Sequence, residues 1–146
     1  KHMSKTLDNL MDAFAGESQA NRKYLAYAQV ADKEGKPQIA KLFRAAAAAE
    51  TIHAHAHLRN AGKIGDTAAN LKDALEGETY EYTKMYPGMI KDAKEEGNEK
   101  VAKYFGFACS VEEVHANLYK KAIEDAQAFK GDYYISLSAV IPMKAP

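Results

Sequence analysis

Four long segments of the chain each carry apolar residues spaced three and four apart, and in each segment a glutamate interrupts the apolar face near its middle. This spacing is typical of helices that pack in a bundle with their apolar faces inward. In the second and fourth segments a histidine follows the glutamate by three residues and therefore lies on the same face. The residues at these positions are Glu17, Glu50, His53, Glu78, Glu112 and His115.

Four glutamates at one level of a bundle core constrain the fold through their charge. Burying one unpaired carboxylate is costly, and the predicted apolar faces supply no lysine or arginine as a partner. Two divalent cations would balance four carboxylates, and neutral imidazoles would complete the shells. One glutamate from each of two helices, with Glu-x-x-His from each of two others, is a di-metal ligand set of four-helix bundles. The alternative is that these glutamates are solvated surface residues.

The two halves of the chain resemble each other. Residues 34–54 align without gaps on residues 96–116 at an offset of 62, with nine of 21 positions identical, and residues 12–18 align on 73–79 at an offset of 61. A repeat this long, occurring twice, indicates a duplicated helix pair rather than a solenoid. The repeat matches His53 with His115, each three residues after a glutamate.

Glycine-containing breakers divide the chain into four predicted helices, so the fold class is all-α, a four-helix bundle. The helices are expected at about residues 5–33, 37–61, 68–96 and 99–129. Pro87 is expected to kink the third helix because proline removes a helical donor. Residues 1–3 are interpreted as a tag remnant, 4–130 as one domain and 131–146 as a non-helical tail.

Composition excludes some classes of protein. Acidic and basic residues balance at 20 each, which argues against a nucleic-acid binder. No apolar run reaches the length of a membrane span, and no signal-peptide pattern opens the chain. The single cysteine, Cys109, cannot form an internal disulfide. A soluble, cytoplasmic protein is therefore expected.

Several stretches resemble the di-iron domain of the rubrerythrin family, which is a ferritin-like four-helix bundle. The resemblance spans about residues 5–129 and rests on "FAGESQANRKY", "AETIHA", "EGETYEYTKMYP" and "VEEVHANLYKKA". The third stretch is the specific one, because ferritins share the ligand tetrad but lack the extra glutamate at Glu81. From helix geometry alone, Glu81 fits an exposed helix residue equally well.

The resemblance implies a ligand set and roles for individual residues. Glu50 and Glu112 would bridge two iron ions (Fe–O–Fe), and Glu81 would exchange with His53 as one iron changes redox state. Tyr24 and Tyr86 stand where the family has tyrosines hydrogen-bonded to ligands; from the residues alone, core packing explains Tyr24 equally well. The ligand types by themselves would also accept Mn or Zn. The implied metal ligands are Glu17, Glu50, His53, Glu78, Glu81, Glu112 and His115, and the implied catalytic residues are Glu81, His53, Tyr24 and Tyr86.

The implied function is that of a non-haem di-iron peroxidase that reduces hydrogen peroxide to water in oxidative-stress defence. The tail "GDYYISLSAVIPMKAP" contains no cysteine, whereas a rubredoxin module needs four thiolates. The chain thus resembles the rubredoxin-less, sulerythrin-like members, and electrons are expected from an external donor such as a rubredoxin. The alternatives are a ferritin-like ferroxidase or iron-binding protein, and a structural bundle without metal.

The linker between the second and third helices predicts a domain-swapped homodimer. If a two-fold axis relates the helix pairs, these helices run parallel and their connection must return about 28 Å along the bundle. About six linker residues reach at most roughly 20 Å. A third helix that begins at Asn70 would nearly close this gap. Of the other histidines in the second helix, His55 is expected to face away from the site. His57 is expected to line the inner face above the site, with direct metal ligation as the alternative.

Overall fold

The computed structural model describes residues 4–127, 129–130, 133–135 and 142–144, and it is dominated by helices. Contacts divide the chain into two compact units, residues 1–64 and 65–146. None of the described helices is long and apolar enough to cross a membrane. The elements are α1 (Lys5–Lys33), α2 (Pro37–Asn60), α3 (Thr67–Tyr80), a π-helical turn (Glu81–Met85), α4 (Tyr86–Glu95), α5 (Glu99–Glu124), β1 (Tyr133–Ile135) and β2 (Pro142–Lys144).

Capping residues fix where the helices begin and end. The side chains of Ser4, Asp66 and Asn98 each accept a hydrogen bond from a backbone N–H in the first turn of α1, α3 and α5, which satisfies one of the unpaired donors there. Gly35 follows the end of α1 with φ 70°, and Gly97 follows the end of α4 with φ 72°. This left-handed conformation costs glycine little. The predicted breakers at these turns are confirmed.

Alanines form the contact between α1 and α2 in the first unit. Ala28, Ala40 and Ala47 are at most 1% exposed, and small side chains at these positions allow the two helices to pack closely. Phe43 from α2 packs against Ala28, Ala31 and Ala40. The buried polar residue of the contact is Asn21, whose side-chain amide donates to the Ala47 carbonyl at 2.7 Å and to the Thr51 hydroxyl at 2.8 Å. Within the alanine run of α2, Ala47 is therefore the residue that packs against α1, while residues 45, 48 and 49 are exposed.

In the second unit α3, the π-helical turn and α4 all pack along α5. The third predicted helix is interrupted by the π-helical turn directly before Pro87, where only a kink was expected. This turn contains one more residue than an α-helical turn, so it moves the inner face along by one position. The apolar spacing of the third predicted helix places Met89 on that face, but Met89 is 40% exposed, whereas Ala93 is 7% exposed.

The last predicted helix ends earlier than expected. The prediction placed its end at residue 129, but α5 ends at Glu124, because Asp125 takes a non-helical conformation with φ −151° and ψ 81°. Beyond α5, β1 and β2 pair antiparallel, with Tyr134 opposite Met143. The rest of the predicted tail lies outside the described residues.

Large apolar side chains remain exposed in both units. Leu42 and Ile52 on α2 are 64% and 67% exposed, and Tyr104 and Phe107 on α5 are 66% and 59% exposed. Within the described part of the chain no large side chain is fully buried. Each unit consists of helices packed side by side, and such packing leaves part of each helix without a neighbouring helix in that unit.

We expect Ala47→Leu to lower the free energy of unfolding by about 1–3 kcal/mol, because the extra carbons have no space between α1 and α2. Urea unfolding followed by circular dichroism measures this change. Ala48→Leu is the matched control, since residue 48 is exposed on the same helix and the added side chain meets no neighbouring helix. Equal effects of the two substitutions would contradict the close contact at Ala47.

Candidate metal centre

The first unit brings together three predicted ligands, Glu17 from α1 and Glu50 and His53 from α2. One donor atom from each of the three lies within 4.8 Å of the others. His53 Nδ1 is 3.2 Å from Glu50 Oε2 and 3.7 Å from Glu17 Oε1. The three-residue spacing on α2 places the glutamate and the histidine on one face, and the contact with α1 adds the second carboxylate. We call these three residues the first trio.

The second unit repeats this arrangement with Glu78 from α3 and Glu112 and His115 from α5. His115 Nδ1 lies 3.0 Å from Glu112 Oε2 and 3.4 Å from Glu78 Oε2, and the three donor atoms again fall within 4.8 Å of one another. We call these residues the second trio. The repeat found in the sequence thus corresponds to two equivalent donor sets in space.

The second trio has the properties of a cation site. Glu78 Oε2 is buried and makes no hydrogen bond, which is costly for a carboxylate oxygen. Burial, followed by the nearby Glu112 carboxyl, raises the pKa of Glu78 to about 7. A divalent cation would remove the repulsion between the two carboxylates and give the oxygen a partner. Two carboxylates and one imidazole suit Fe, Mn or Zn, so the residues fit a transition metal.

Glu81 lies beside the second trio without belonging to it. It is the first residue of the π-helical turn and is half-buried. Burial and the Glu112 carboxylate raise the pKa of Glu81, while His115 lowers it. Its carboxyl therefore interacts electrostatically with Glu112 and His115 of the second trio, but no Glu81 oxygen lies in the cluster of donor atoms.

The two predicted tyrosines differ in their surroundings. Burial, followed by the charges of Glu112 and Glu81, raises the pKa of Tyr86. Tyr24 packs against the rings of Tyr27 and Phe43, with centroids 6.4 Å and 6.1 Å away. Among the described residues neither hydroxyl hydrogen-bonds to a carboxylate of a trio, so their roles stay predictions.

The two other histidines of α2 occupy different faces. His55 is exposed and shares an outer groove with Arg22, away from the first trio. His57 Nε2 lies 4.0 Å from Glu17 Oε1, so it stands next to the first trio, as its position one turn after His53 suggests. Its repeat counterpart Tyr119 lines a cavity of about 350 Å³ together with Glu78 and His115. This position agrees with the expectation that His57 lines the inner face above the site.

The π-helical turn is a feature that residue spacing in the sequence did not predict. Its defining hydrogen bond runs from the N–H of Tyr86 to the carbonyl of Glu81, five residues back rather than four. Inside the turn, the Thr83 hydroxyl donates to the Thr79 carbonyl, a local bond that competes with helical pairing. Pro87 was the available signal, because its missing N–H weakens the α-helical register just before it. Such turns are frequent at functional sites.

Comparison with known proteins gives consistent matches. A family model described as Rubrerythrin matches residues 8–123. Rubrerythrin-1 of Clostridium acetobutylicum is 36% identical, over 88% of this chain and 76% of that protein. Nigerythrin of Nitratidesulfovibrio vulgaris is 39% identical, over 90% of this chain and 72% of that protein.

Solved structures of nigerythrin also resemble this chain. The partially reduced state matches with a TM-score of 0.55 and 34% identity, covering 100% of this chain and 80% of that one. The fully reduced, all-ferrous state gives the same values. The predicted fold class, all-α and ferritin-like, is confirmed by this likeness.

We expect the metal-free protein to lose thermal stability as the pH rises from 5.5 to 8. The pKa of Glu78 is higher in the folded state, about 7, than its ordinary value of 4.5. Its protonated form therefore stabilises the fold at low pH, and this contribution disappears as the pH rises through 7. Glu78→Gln removes the titrating group, so its melting temperature should fall less over this range.

Thermal unfolding followed by circular dichroism, at both pH values and with a chelator present, measures the difference. Glu76→Gln is the control, because Glu76 is exposed on the same helix. Parallel pH profiles for wild type and Glu78→Gln would contradict the assignment of a raised pKa to this carboxyl.

Proposed function

The chain belongs to the rubrerythrin family, and on this premise we propose that it is a non-haem di-iron peroxidase that reduces hydrogen peroxide to water. Membership makes it a di-iron oxidoreductase of oxidative-stress defence. The observation that supports the peroxidase is the pair of repeat-related trios with the additional carboxyl of Glu81 beside one of them. An unmodified ferritin-like tetrad has no counterpart of Glu81.

The two trios would hold two iron ions, with Glu50 and Glu112 as the bridging carboxylates. Two ferrous ions supply the two electrons that, with two protons, convert hydrogen peroxide into two water molecules. The contribution of the protein is to keep two positive ions close together by surrounding them with carboxylates. His53 and His115 would add neutral nitrogen donors through Nδ1, the atom that lies within 3.2 Å of a glutamate oxygen of the same trio.

Glu81 would take part by moving toward a metal when the charge at the site changes, in exchange with His53. Its position on the π-helical turn supports this role, because a π turn departs from the regular α-helical hydrogen-bond pattern. Tyr86, whose raised pKa keeps its hydroxyl protonated, would donate a hydrogen bond to a neighbouring carboxylate. Tyr24 would orient a ligand in the same way.

Electrons would reach the metals from a redox centre outside these residues. The sequence contains a single cysteine, and an FeS₄ centre needs four thiolates. A small electron carrier such as a rubredoxin is the proposed donor.

We further propose that two copies of the chain exchange helix pairs, so that the trios meet across a domain-swapped dimer. The linker from Ala61 to Asp66 has six residues. Lys63 N–H bonds back to the Leu58 carbonyl, and Gly65 and Asn70 are joined by two hydrogen bonds. The Asp66 cap makes α3 begin at Thr67 rather than at Asn70.

Little of this linker is free to extend. A return inside one bundle would have to span 7 residues from His53 to Asn60 and 11 residues from Thr67 to Glu78, about 27 Å. The short linker therefore supports the swapped arrangement, in which no return is needed. The exposed apolar side chains of both units give a second copy a surface to cover.

A ferritin-like ferroxidase is the second candidate. It is favoured by one observation, namely that Glu81 contributes no atom to the clusters of donor atoms. The four glutamates and two histidines of the trios would by themselves form a ferroxidase ligand set. Its substrate would be ferrous iron rather than peroxide.

Stopped-flow oxidation of the diferrous protein tests the peroxidase. We expect peroxide to oxidise the wild type faster than dioxygen does. Glu81→Ala should slow the reaction with peroxide by about 10–100-fold, the usual cost of losing a group that tunes a metal site. Glu76→Ala, at an exposed position on α3, should react like the wild type.

Two results would change the conclusion. If peroxide reacts no faster than dioxygen with the wild type, the protein is not a peroxidase. If Glu81→Ala reacts like the wild type while iron is still oxidised by dioxygen, the ferroxidase is the better description.

Light scattering of the metal-loaded protein tests the swapped dimer, and we expect twice the mass of one chain. Inserting about ten Gly and Ser residues after Lys63 should yield monomers that retain metal, because each added residue extends the reach by about 3.3 Å. Inserting the same residues after Lys36, between α1 and α2, is the control and should leave the dimer intact. A wild-type monomer that retains both metals would refute the exchange.

A further inference from the structure

The π-helical turn leaves one backbone carbonyl without a helical donor. The carbonyl of Tyr82 would accept the N–H of residue 86 in an α-helix or of residue 87 in a π-helix. The N–H of Tyr86 is already bonded to the carbonyl of Glu81, and Pro87 has no N–H. Both regular donors are therefore missing at a partly buried position next to Glu81.

The thiol of Cys109 supplies the missing donor. Its Sγ lies 3.3 Å from the Tyr82 carbonyl oxygen, from the neighbouring helix α5. The thiol is half-buried, and burial raises the pKa of Cys109, so the sulfur retains its proton. An S–H group is a weak donor, but it reaches a carbonyl whose two regular helical donors are taken or missing.

The repeat shows that this contact differs from its counterpart. At offsets of 61 and 62, Tyr82 corresponds to Asn21 and Cys109 corresponds to Ala47. In the first unit the Asn21 side chain on α1 donates to the Ala47 carbonyl on α2. The donor there is thus a side chain of α1, and the acceptor lies on the helix that carries Glu-x-x-His. In the second unit the direction is reversed. The donor comes from α5 because the acceptor is the carbonyl that Pro87 leaves unpaired.

We propose that Cys109 is a positioning residue for Glu81: its thiol pairs with the Tyr82 carbonyl and holds the π-helical turn in the register that presents Glu81 beside the second trio. The role in turnover rests on the proposed peroxidase function. The effect on the turn itself does not, so the two can be tested separately.

Hydrogen–deuterium exchange of the full-length protein, followed by mass spectrometry of the peptides that cover residues 78–90, tests the hold on the turn. Cys109→Ala should accelerate exchange in the turn about tenfold, because the carbonyl loses its partner. Cys109→Ser keeps a donor and should stay close to the wild type. Ser110→Ala is the control on α5, since Ser110 is exposed and bonds only to its own helix.

Pro87→Ala provides the decisive comparison, because it restores the N–H at residue 87. In that background the Tyr82 carbonyl has a backbone donor, and Cys109→Ala should change exchange by less than about twofold. An equal effect of Cys109→Ala in both backgrounds would overturn the proposal, as would wild-type exchange in Cys109→Ala. So would a Cys109→Ser variant that behaves like Cys109→Ala, since the sulfur would then act through packing.

If Cys109→Ala does not fold, the Pro87→Ala/Cys109→Ala double variant decides. A folded double variant supports the proposal, because the restored N–H replaces the thiol. A double variant that also fails to fold overturns it.

The peroxide reaction gives the functional readout. In an otherwise wild-type chain, Cys109→Ala should slow oxidation of the diferrous protein by peroxide. Added to Glu81→Ala, it should cause no further decrease in this rate, because its effect acts through Glu81. An equal loss in both backgrounds would overturn the link to Glu81. If the wild type shows no peroxide reaction while the exchange results hold, the peroxidase fails and the role of Cys109 in the turn stands.

Discussion

The repulsion between carboxylates on packed helices is the constraint on which the rest of the structure depends. Helix contacts built from alanine bring the helices close together, and the same contacts bring glutamates from neighbouring helices within a few ångströms of each other. In the second trio the consequence is visible in the raised pKa of Glu78 and in its unpaired oxygen. Each trio therefore needs either a proton or a cation between its two carboxylates.

The duplication explains the similarity of the trios, and the differences between the halves give each trio different neighbouring side chains. Ala20 in the first half corresponds to Glu81 in the second, and His57 corresponds to Tyr119. The first trio therefore has an additional imidazole next to it, and the second has an additional carboxyl. A metal held by the first trio would therefore have different neighbouring side chains from a metal held by the second.

The sequence predicted most of the fold and the trios because both depend on local spacing. Glu50 and His53 share a face in any helix, and the turns at Gly35 and Gly97 depend on one residue each. The π-helical turn was not predictable in this way, because inserting one residue changes which later positions face inward without changing the composition. Met89 was misassigned for this reason. The contact of Cys109 with Tyr82 depends on the same insertion and on packing between helices far apart in sequence, so spacing could not reveal it.

A carboxylate that changes its coordination needs two properties that oppose each other. The helix that carries it must be able to move, and it must return to one defined position. The π-helical turn supplies the first property, since the carbonyl of Tyr82, next to Glu81, lacks a regular helical donor. Bonds from side chains supply the second, because Thr83 within the turn and Cys109 on α5 pair with carbonyls of this segment. A side-chain donor can be released and regained without unwinding a helix, whereas a backbone donor in a regular α-helix would fix the segment. Pro87 and Cys109 are therefore best understood together. Pro87 removes a backbone hydrogen bond from the helix near Glu81, and Cys109 supplies a side-chain bond that limits how far this segment moves.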